Sequence, residues 1–363
     1  MKILGQANEI ASAMLKVKGV VPGRTTIPII ECVLIEATNR LSVTATSLDL
    51  YATATCDAQI VTPGTIAVRP EIIATMKAMG RREVSLRLEG NRMTLGCGKS
   101  RYDFATLPAE DFPTAPQPDG AVEFDLDAQW MRIALDKTRL TVSTEETRAY
   151  LNGVHFDTEG SQLLFVSTDG HRLVRVGTDL PEGLSDTFGA IVPTPAVKEI
   201  CAILDGNEET ASICLSPKII RVTSGNATIT AKLIEGVYPD YRRVIPRDRD
   251  TNFTTTPAAI SEAWGRMQSI YDPKAPATLC RTNGSGVDFL SARSGTNEGA
   301  EFFEASVVEP TEFGINGSYL AGLVSMWPSD AVLNVSCPDA GSPILITSDD
   351  VPGQTQVCMP MRY

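Results

Sequence analysis

Thr65-Ile66-Ala67-Val68 precedes an apolar, helix-like run from Ile72 to Met79. Gly189-Ala190-Ile191-Val192 precedes a second, Ala196 to Leu204, and Glu312-Phe313-Gly314-Ile315 a third, Tyr319 to Met326. Val68 and Val192 lie 124 residues apart, and Val192 and Ile315 lie 123 apart. Recurrence at one long period is the mark of a repeated structural unit. Two further anchors keep the spacing. Val43-Thr-Ala-Thr-Ser-Leu-Asp49 corresponds to Phe165-Val-Ser-Thr-Asp-Gly170 and to Phe289-Leu-Ser-Ala-Arg-Ser294. Asp111-Phe-Pro113 near the end of the first unit corresponds to Val237-Tyr-Pro-Asp240 near the end of the second.

Each unit reads in the same order. In the first, a short strand Lys2–Leu4 leads into an amphipathic helix around Asn8–Lys16, with Ile10, Ala11, Met14 and Leu15 at helical spacing. Alternating strands follow at Cys32–Ala37, Leu41–Ala45 and Leu50–Cys56, with Asn39 supplying a turn. The pattern then repeats: strand Thr65–Val68, a helix opened by Pro70 near its first position, and strands Val84–Leu88, Met93–Cys97 and Arg101–Ala105. The second unit begins its helix near Asp127 (Trp130, Ile133, Ala134), the third near Thr256 (Ile260, Trp264, Met267). Pro, Asp and Gly cluster at Leu107–Gly120 and Pro246–Thr251. The expected fold class is α+β, with three repeated domains at 1–118, 119–249 and 250–363. Each would hold two strand-helix-three-strand units.

Composition bounds the function. Hydrophobic residues make up 43% and charged residues 21% of the 363, the mix of a globular protein. The longest apolar stretch, Ile27–Ala37, is interrupted by Glu31, so nothing approaches the ~20 residues of a membrane span. The opening MKILGQANEI turns polar after four residues, unlike a signal peptide, and a cytoplasmic protein is expected. The eight cysteines form no CxxC pair, and the two histidines are His155 and His171. That pattern predicts neither a zinc site nor a disulfide framework, and no metal or cofactor. A net charge of −12 argues against nucleic-acid binding when taken as an average, but one basic face can coexist with an acidic exterior.

Two motifs invite chemistry and lose it on context. Gly98-Lys99-Ser100 looks like the end of a phosphate-binding loop, but Met93 stands where the motif needs Gly, and a strand follows instead of a helix. Ser167-Thr-Asp-Gly-His-Arg-Leu173 offers Asp169 and His171 to an enzymatic reading. Asp-Gly makes a turn after a strand, and the other histidine, His155, sits in an alternating strand between Val154 and Phe156. The catalytic α+β alternative predicts turnover that His171→Ala abolishes.

Longer motifs are more specific. Leu151-Asn-Gly153, Thr168-Asp-Gly-His-Arg-Leu173, Tyr238-Pro-Asp-Tyr-Arg-Arg-Val-Ile-Pro246 and the closing Met359-Pro-Met-Arg-Tyr363 closely resemble the β subunit of bacterial DNA polymerase III, the sliding clamp family. Arg24-Thr-Thr-Ile-Pro-Ile29 and Thr106-Leu-Pro-Ala-Glu-Asp-Phe-Pro113 add matches, so the resemblance spans all three units in order. It implies a non-catalytic subunit of the polymerase holoenzyme. Two copies would close head to tail into a six-domain ring, with helices lining the hole around duplex DNA. A specialised clamp paralogue serving repair or a mobile element stays open beside the replicative reading, as does a monomeric scaffold.

The resemblance also implies sites. A groove between the second and third domains would take short motifs carrying Gln and a terminal Leu or Phe, from the polymerase α subunit, the clamp loader and other clamp-motif proteins. The matching positions are Leu151, Thr168, Gly170, His171, Arg172, Leu173, Pro239, Arg243, Val244, Tyr319, Val357, Met359, Pro360, Met361, Arg362 and Tyr363. Apolar pockets for anchors and Arg groups for orientation suit peptide recognition. Weak, salt-dependent DNA contacts would come from Arg24, Lys77, Arg81, Arg82, Lys137, Arg139 and Lys198, with Lys16 and Arg132 nearby on the helices. Arg24 matches a DNA-contacting position of the family. The ring interface would set Tyr102, Phe104 and Leu107, flanked by Lys99 and Arg101, against Ile270 and Tyr271 with acidic Glu298, Glu301 and Glu304. The sequence departs from the family at Thr194-Pro195, where basic residues are common, at Ala149 and Ala275, where aromatics are, and at Tyr363, where Leu is usual.

Overall fold

The computed structural model describes residues 1–184, 189–206, 209–247, 250–272, 274, 276–291 and 298–363. Ala275, the Ala292–Ser294 end of the third repeat anchor and the proposed boundary at residue 249 lie outside them. Six α-helices occur among the described residues: α1 (Ala7–Lys18), α2 (Glu71–Met79), α3 (Ala128–Thr138), α4 (Thr194–Leu204), α5 (Pro257–Met267) and α6 (Gly317–Val324). They fall two to a repeat, where the periodicity places them.

The first strand-helix-three-strand unit is Lys2–Gln6, α1, Val33–Ala37, Leu41–Thr46 and Leu50–Cys56. The second is Gly64–Val68, α2, Glu83–Glu89, Arg92–Cys97 and Ser100–Leu107. Period-two patterning explains the strands: Val33, Ile35 and Ala37 are buried, as are Leu41, Val43 and Ala45 on the next strand, while the residues between them are partly exposed. In α1, Ile10, Met14 and Val17 form the buried stripe and pack toward α2 through Ile72, Ile73 and Met76. Leu15 does not belong to that stripe. It is 42% exposed, because one residue past Met14 turns it about 100° away from the core. Pro70 is the residue before α2, not its first helical residue. Thr256 caps α5 by accepting the Ala259 N–H. An unforeseen strand, Gln59–Thr62, pairs with Lys2–Leu4. It is largely exposed, so it carries no alternation to read.

Contacts divide the chain into two compact units that do not follow the three repeats. One is built mainly from Met1–Ile133 and Val192–Glu235, the other mainly from Ala134–Leu180 and Gly236–Tyr363. The first unit holds a 13-stranded sheet. Within it Leu50–Cys56, from the first repeat, pairs antiparallel with Ala227–Lys232, from the second, in the register Ala54 to Ala227 through Leu50 to Ala231. The second unit holds a nine-stranded and a four-stranded sheet. In the nine-stranded sheet Arg172–Asp179 pairs with Gln354–Cys358, joining the second and third repeats. Gly98 and Lys99 form the turn of the hairpin in which Cys97 pairs with Ser100, with Gly98 at φ +56°. The phosphate-loop reading therefore fails on geometry as well.

Phe156 and Phe165 face each other across neighbouring strands, fully buried, with ring centroids 4.0 Å apart. Phe165→Ala is expected to cost about 3–5 kcal/mol through the cavity it leaves, read as a lower urea midpoint of that unit.

Candidate functional site

The turn between strands Gln162–Thr168 and Arg172–Asp179 organises the site. Thr168 donates its hydroxyl to the Arg172 carbonyl at 2.8 Å and accepts the Gly170 N–H at 3.0 Å. Asp169 accepts the N–H groups of His171 and Arg172 on one oxygen, both at 2.9 Å, and the Arg172 Nε on the other at 3.0 Å. Gly170 turns with φ +90°, and a Cβ there would lie 2.9 Å from an Arg148 guanidinium nitrogen. Asp169 thus holds a turn and does not orient an imidazole: its bond to His171 is to the backbone. That removes the base-orienter pair an enzymatic reading of Asp169 and His171 requires.

Arg172 fastens this turn to its surroundings. Its Nη2 donates to the Leu140 carbonyl at 3.1 Å, and its guanidinium carbon lies 4.6 Å above the centre of the Tyr319 ring on α6. The His171 ring lies 6.0 Å from the same tyrosine. Strand pairing sets Leu173 opposite Val357, and both are buried at the base of a pocket of about 240 Å³.

That pocket gathers ten of the sixteen expected groove positions: Leu151, Thr168, Gly170, His171, Arg172, Leu173, Pro239, Val244, Val357 and Met359. Four more residues line it that sequence reasoning did not single out: Arg148, Tyr150, Asp240 and Tyr241. The signal for them was proximity, since Arg148 and Tyr150 precede Leu151, and Asp240 and Tyr241 lie inside the Tyr238–Pro246 motif. The remaining six positions lie outside the pocket lining. Tyr319 lies beneath Arg172. Arg243 is exposed and pairs with Asp240 at 2.9 Å. Pro360, Met361, Arg362 and Tyr363 run on from Met359: the Met361 N–H donates to the Gly314 carbonyl at 2.8 Å, and the Tyr363 hydroxyl donates to Glu312.

The wall at 238–244 is pinned to strand Gly153–Glu159. Tyr238 stacks on His155 with ring centroids 4.4 Å apart. Tyr241 donates its hydroxyl to Asp157 at 2.9 Å, and Arg242 reaches Asp157 at 2.7 Å and Glu159 at 3.0 Å. Burial pushes the His155 pKa down, the Asp157 carboxylate works against that shift, and Arg242 adds to it.

The expected DNA-facing cations divide in two. Arg24, Lys77, Arg81, Arg82 and Lys198 are exposed. Lys137 is half-buried, donates to the Gln354 side chain at 2.5 Å, and burial pushes its pKa down. Arg139 pairs with Asp136 at 2.8 Å, Lys16 donates to Asn226 at 2.6 Å, and Arg132 lies 3.9 Å from Asp205. Among the expected interface residues, Tyr102 (44% exposed) and the half-buried Phe104 share one face of their strand, and Lys99 is exposed. Arg101 is engaged by Asp103 and Glu89. Leu107 is half-buried and packs on the cluster of Ile29, Ile30, Cys32, Ala67 and Phe112. In the other compact unit, Tyr271 sits edge-on to Trp264 and donates to Asn316 and Ser318, next to the half-buried Ile270. Glu301 is bonded to Arg266 at 2.9 Å, and Glu298 and Glu304 are exposed.

Among the described residues no group of three His, Cys, Asp or Glu side chains could hold a metal ion, and no helix is long and apolar enough to cross a membrane.

Because the fold favours neutral His155, its contribution to stability is fully present above the ordinary imidazole value of about 6.5 and is lost as pH falls through the lowered folded value. The urea midpoint of this unit should therefore drop between pH 7.5 and 5, and His155→Gln should flatten that drop.

Comparison with known proteins agrees with this geometry. Residues 1–116 match the DNA polymerase III β subunit N-terminal domain, and residues 125–240 match its central domain. The β sliding clamp of Caulobacter vibrioides is 32% identical over 372 residues, with all of both chains covered. The Escherichia coli K12 β sliding clamp is 29% identical, again over the whole of both. The solved sliding clamp of Bartonella birtlesii, bound to griselimycin, superposes with a TM-score of 0.94 at 30% identity, covering 100% of each chain. The repeated units, the groove and the full-length likeness together place this chain in the DNA polymerase III β subunit family, the bacterial sliding clamps.

Proposed function

We propose that this chain closes as a head-to-tail homodimer around duplex DNA and recruits its partners through the groove at Leu151, Leu173, Val244, Val357 and Met359. It is a processivity factor of DNA polymerase III and does no chemistry itself. The observation that carries the partner site is the groove: an apolar base with Arg148 and Arg172 on its rim and a backbone turn beside it. Such a surface takes an aliphatic or aromatic anchor from an extended peptide and fixes its direction by hydrogen bonds. Met359 adds an adaptable wall that suits several partners. The polymerase α subunit, the clamp loader and other clamp-motif proteins would compete for it.

The domains of this reading are 1–118, 119–249 and 250–363. A ring holds DNA by topology, so strong phosphate contacts would only slow sliding. Arg24, Lys77, Arg81 and Arg82 are the better DNA-contacting candidates, since Lys137, Arg139 and Lys198 are already engaged within the protein. Ring closure would use Tyr102 and Phe104 against Ile270 and Tyr271, with Lys99 steering toward Glu298 and Glu304. A heterologous interface closes only when both patches fit. The protein would work in the cytoplasm, on the nucleoid during replication. The sequence departures at Tyr363 and Ala275 favour a second reading in which the groove serves a specialised paralogue with a shifted peptide preference.

Light scattering after size exclusion is expected to give about twice the 39.0 kDa chain mass, and Phe104→Arg should give monomers by burying an unpaired charge. A wild-type monomer at micromolar concentration would sink the ring. Val244→Arg should abolish binding of a peptide that begins with Gln and ends in Leu-Phe, leaving native mass and retention on circular DNA unchanged. Unaltered peptide affinity would sink the groove assignment.

A further inference from the structure

Residues 359–363 leave the strand Gln354–Cys358 beside the groove and reach the strand Glu312–Asn316. Two backbone bonds mark the path. The Met359 N–H donates to the His171 carbonyl at the groove, and the Met361 N–H donates to the Gly314 carbonyl, each at 2.8 Å. Glu312–Asn316 ends the four-stranded sheet, paired on one side with Ala277–Asn283. Met361 therefore takes up a carbonyl on a sheet edge that no other described strand pairs with. Gly314 is what permits so close an approach: a Cβ there would collide with the Met361 carbonyl oxygen and lie 2.7 Å from the Tyr363 ring.

The far end is fastened by side chains. The Tyr363 hydroxyl donates to the Glu312 carboxylate, which Arg281, its cross-strand partner, also holds. The Arg281 and Tyr363 bonds keep the Glu312 carboxyl below its usual range, so it is a charged acceptor at neutral pH. Tyr363 is itself 57% exposed. Its hydroxyl is the group that finds a fixed partner.

We infer that Tyr363, acting through Glu312, is a positioning residue for partner binding: it latches residues 359–363 onto the sheet edge and so holds Met359 in the groove wall. The inference rests on the groove reading above. Methionine is unbranched and conformationally loose, so the place of its side chain depends on how firmly its backbone is tied on both sides. His171 ties it before the groove and Gly314 after it, and the Tyr363–Glu312–Arg281 cluster keeps the second tie from fraying.

The test is fluorescence anisotropy with a labelled peptide that begins with Gln and ends in Leu-Phe. It compares full-length wild type, Tyr363→Phe, Glu312→Gln and the double variant, alongside hydrogen exchange at the Met361 amide. Each single variant is expected to raise Kd about two- to fivefold, the scale of one solvent-screened hydrogen bond. The double variant should be no worse than the weaker single, because both cut one path. Met361 exchange should speed up in all three, with native mass and thermal midpoint unchanged. Wild-type affinity in Tyr363→Phe, additive losses in the double variant, or unchanged Met361 exchange would each overturn the latch and leave the groove reading intact. Failure of the wild type to bind the peptide at all would overturn both.

Discussion

Two antiparallel ladders carry strands of neighbouring repeats in common sheets: Leu50–Cys56 with Ala227–Lys232, and Arg172–Asp179 with Gln354–Cys358. Backbone donors and acceptors at a sheet edge must find partners, and here each repeat finds them in the next. The second ladder also builds the site, since it sets Leu173 against Val357 and carries the chain on to Met359. Joining repeats and forming the groove floor are consequences of a single register. A slip of one residue would turn Leu173 and Val357 to the opposite face.

The carboxylates around the groove are spent on holding its walls. Asp169 accepts three bonds from its own turn, Asp157 holds Tyr241 and Arg242, and Asp240 holds Arg243. A general base needs a free lone pair aimed at substrate. These groups are aimed at the backbone and at arginines instead, and what faces the open pocket is mostly leucine, valine, methionine and aromatic surface. The site is shaped for contact.

Much of this was legible in the sequence where burial follows a simple period. Leu50–Cys56 begins and ends where the sequence reading puts it, and the six helices of the described residues fall at the repeat spacing. Where exposure breaks the period, the pattern fell silent: Gln59–Thr62 shows no alternation because little of it is buried. The groove turn and floor were readable from motifs. Arg148, Tyr150, Asp240 and Tyr241 were not singled out, since a polar or aromatic residue in a loop gains its role only from what folds against it. Lys137 and Leu107 make the same point in reverse, because residue type alone does not say that a lysine reaches Gln354 or that the leucine ending an exposed strand packs against a core cluster.

The shared ladder at Leu50–Cys56 also decides what a cut in the chain would do. The segment after Phe112, which is held in its cluster, includes an exposed turn around Asp119 and Gly120, the sort of place where a protease nicks first. Cleavage there would sever the covalent chain and leave the pieces zipped together along Leu50–Ala54 and Ala227–Ala231. A molecule broken in its backbone would still migrate as one body until denatured. A first repeat made alone would instead expose a bare strand edge, ready to recruit another copy of itself.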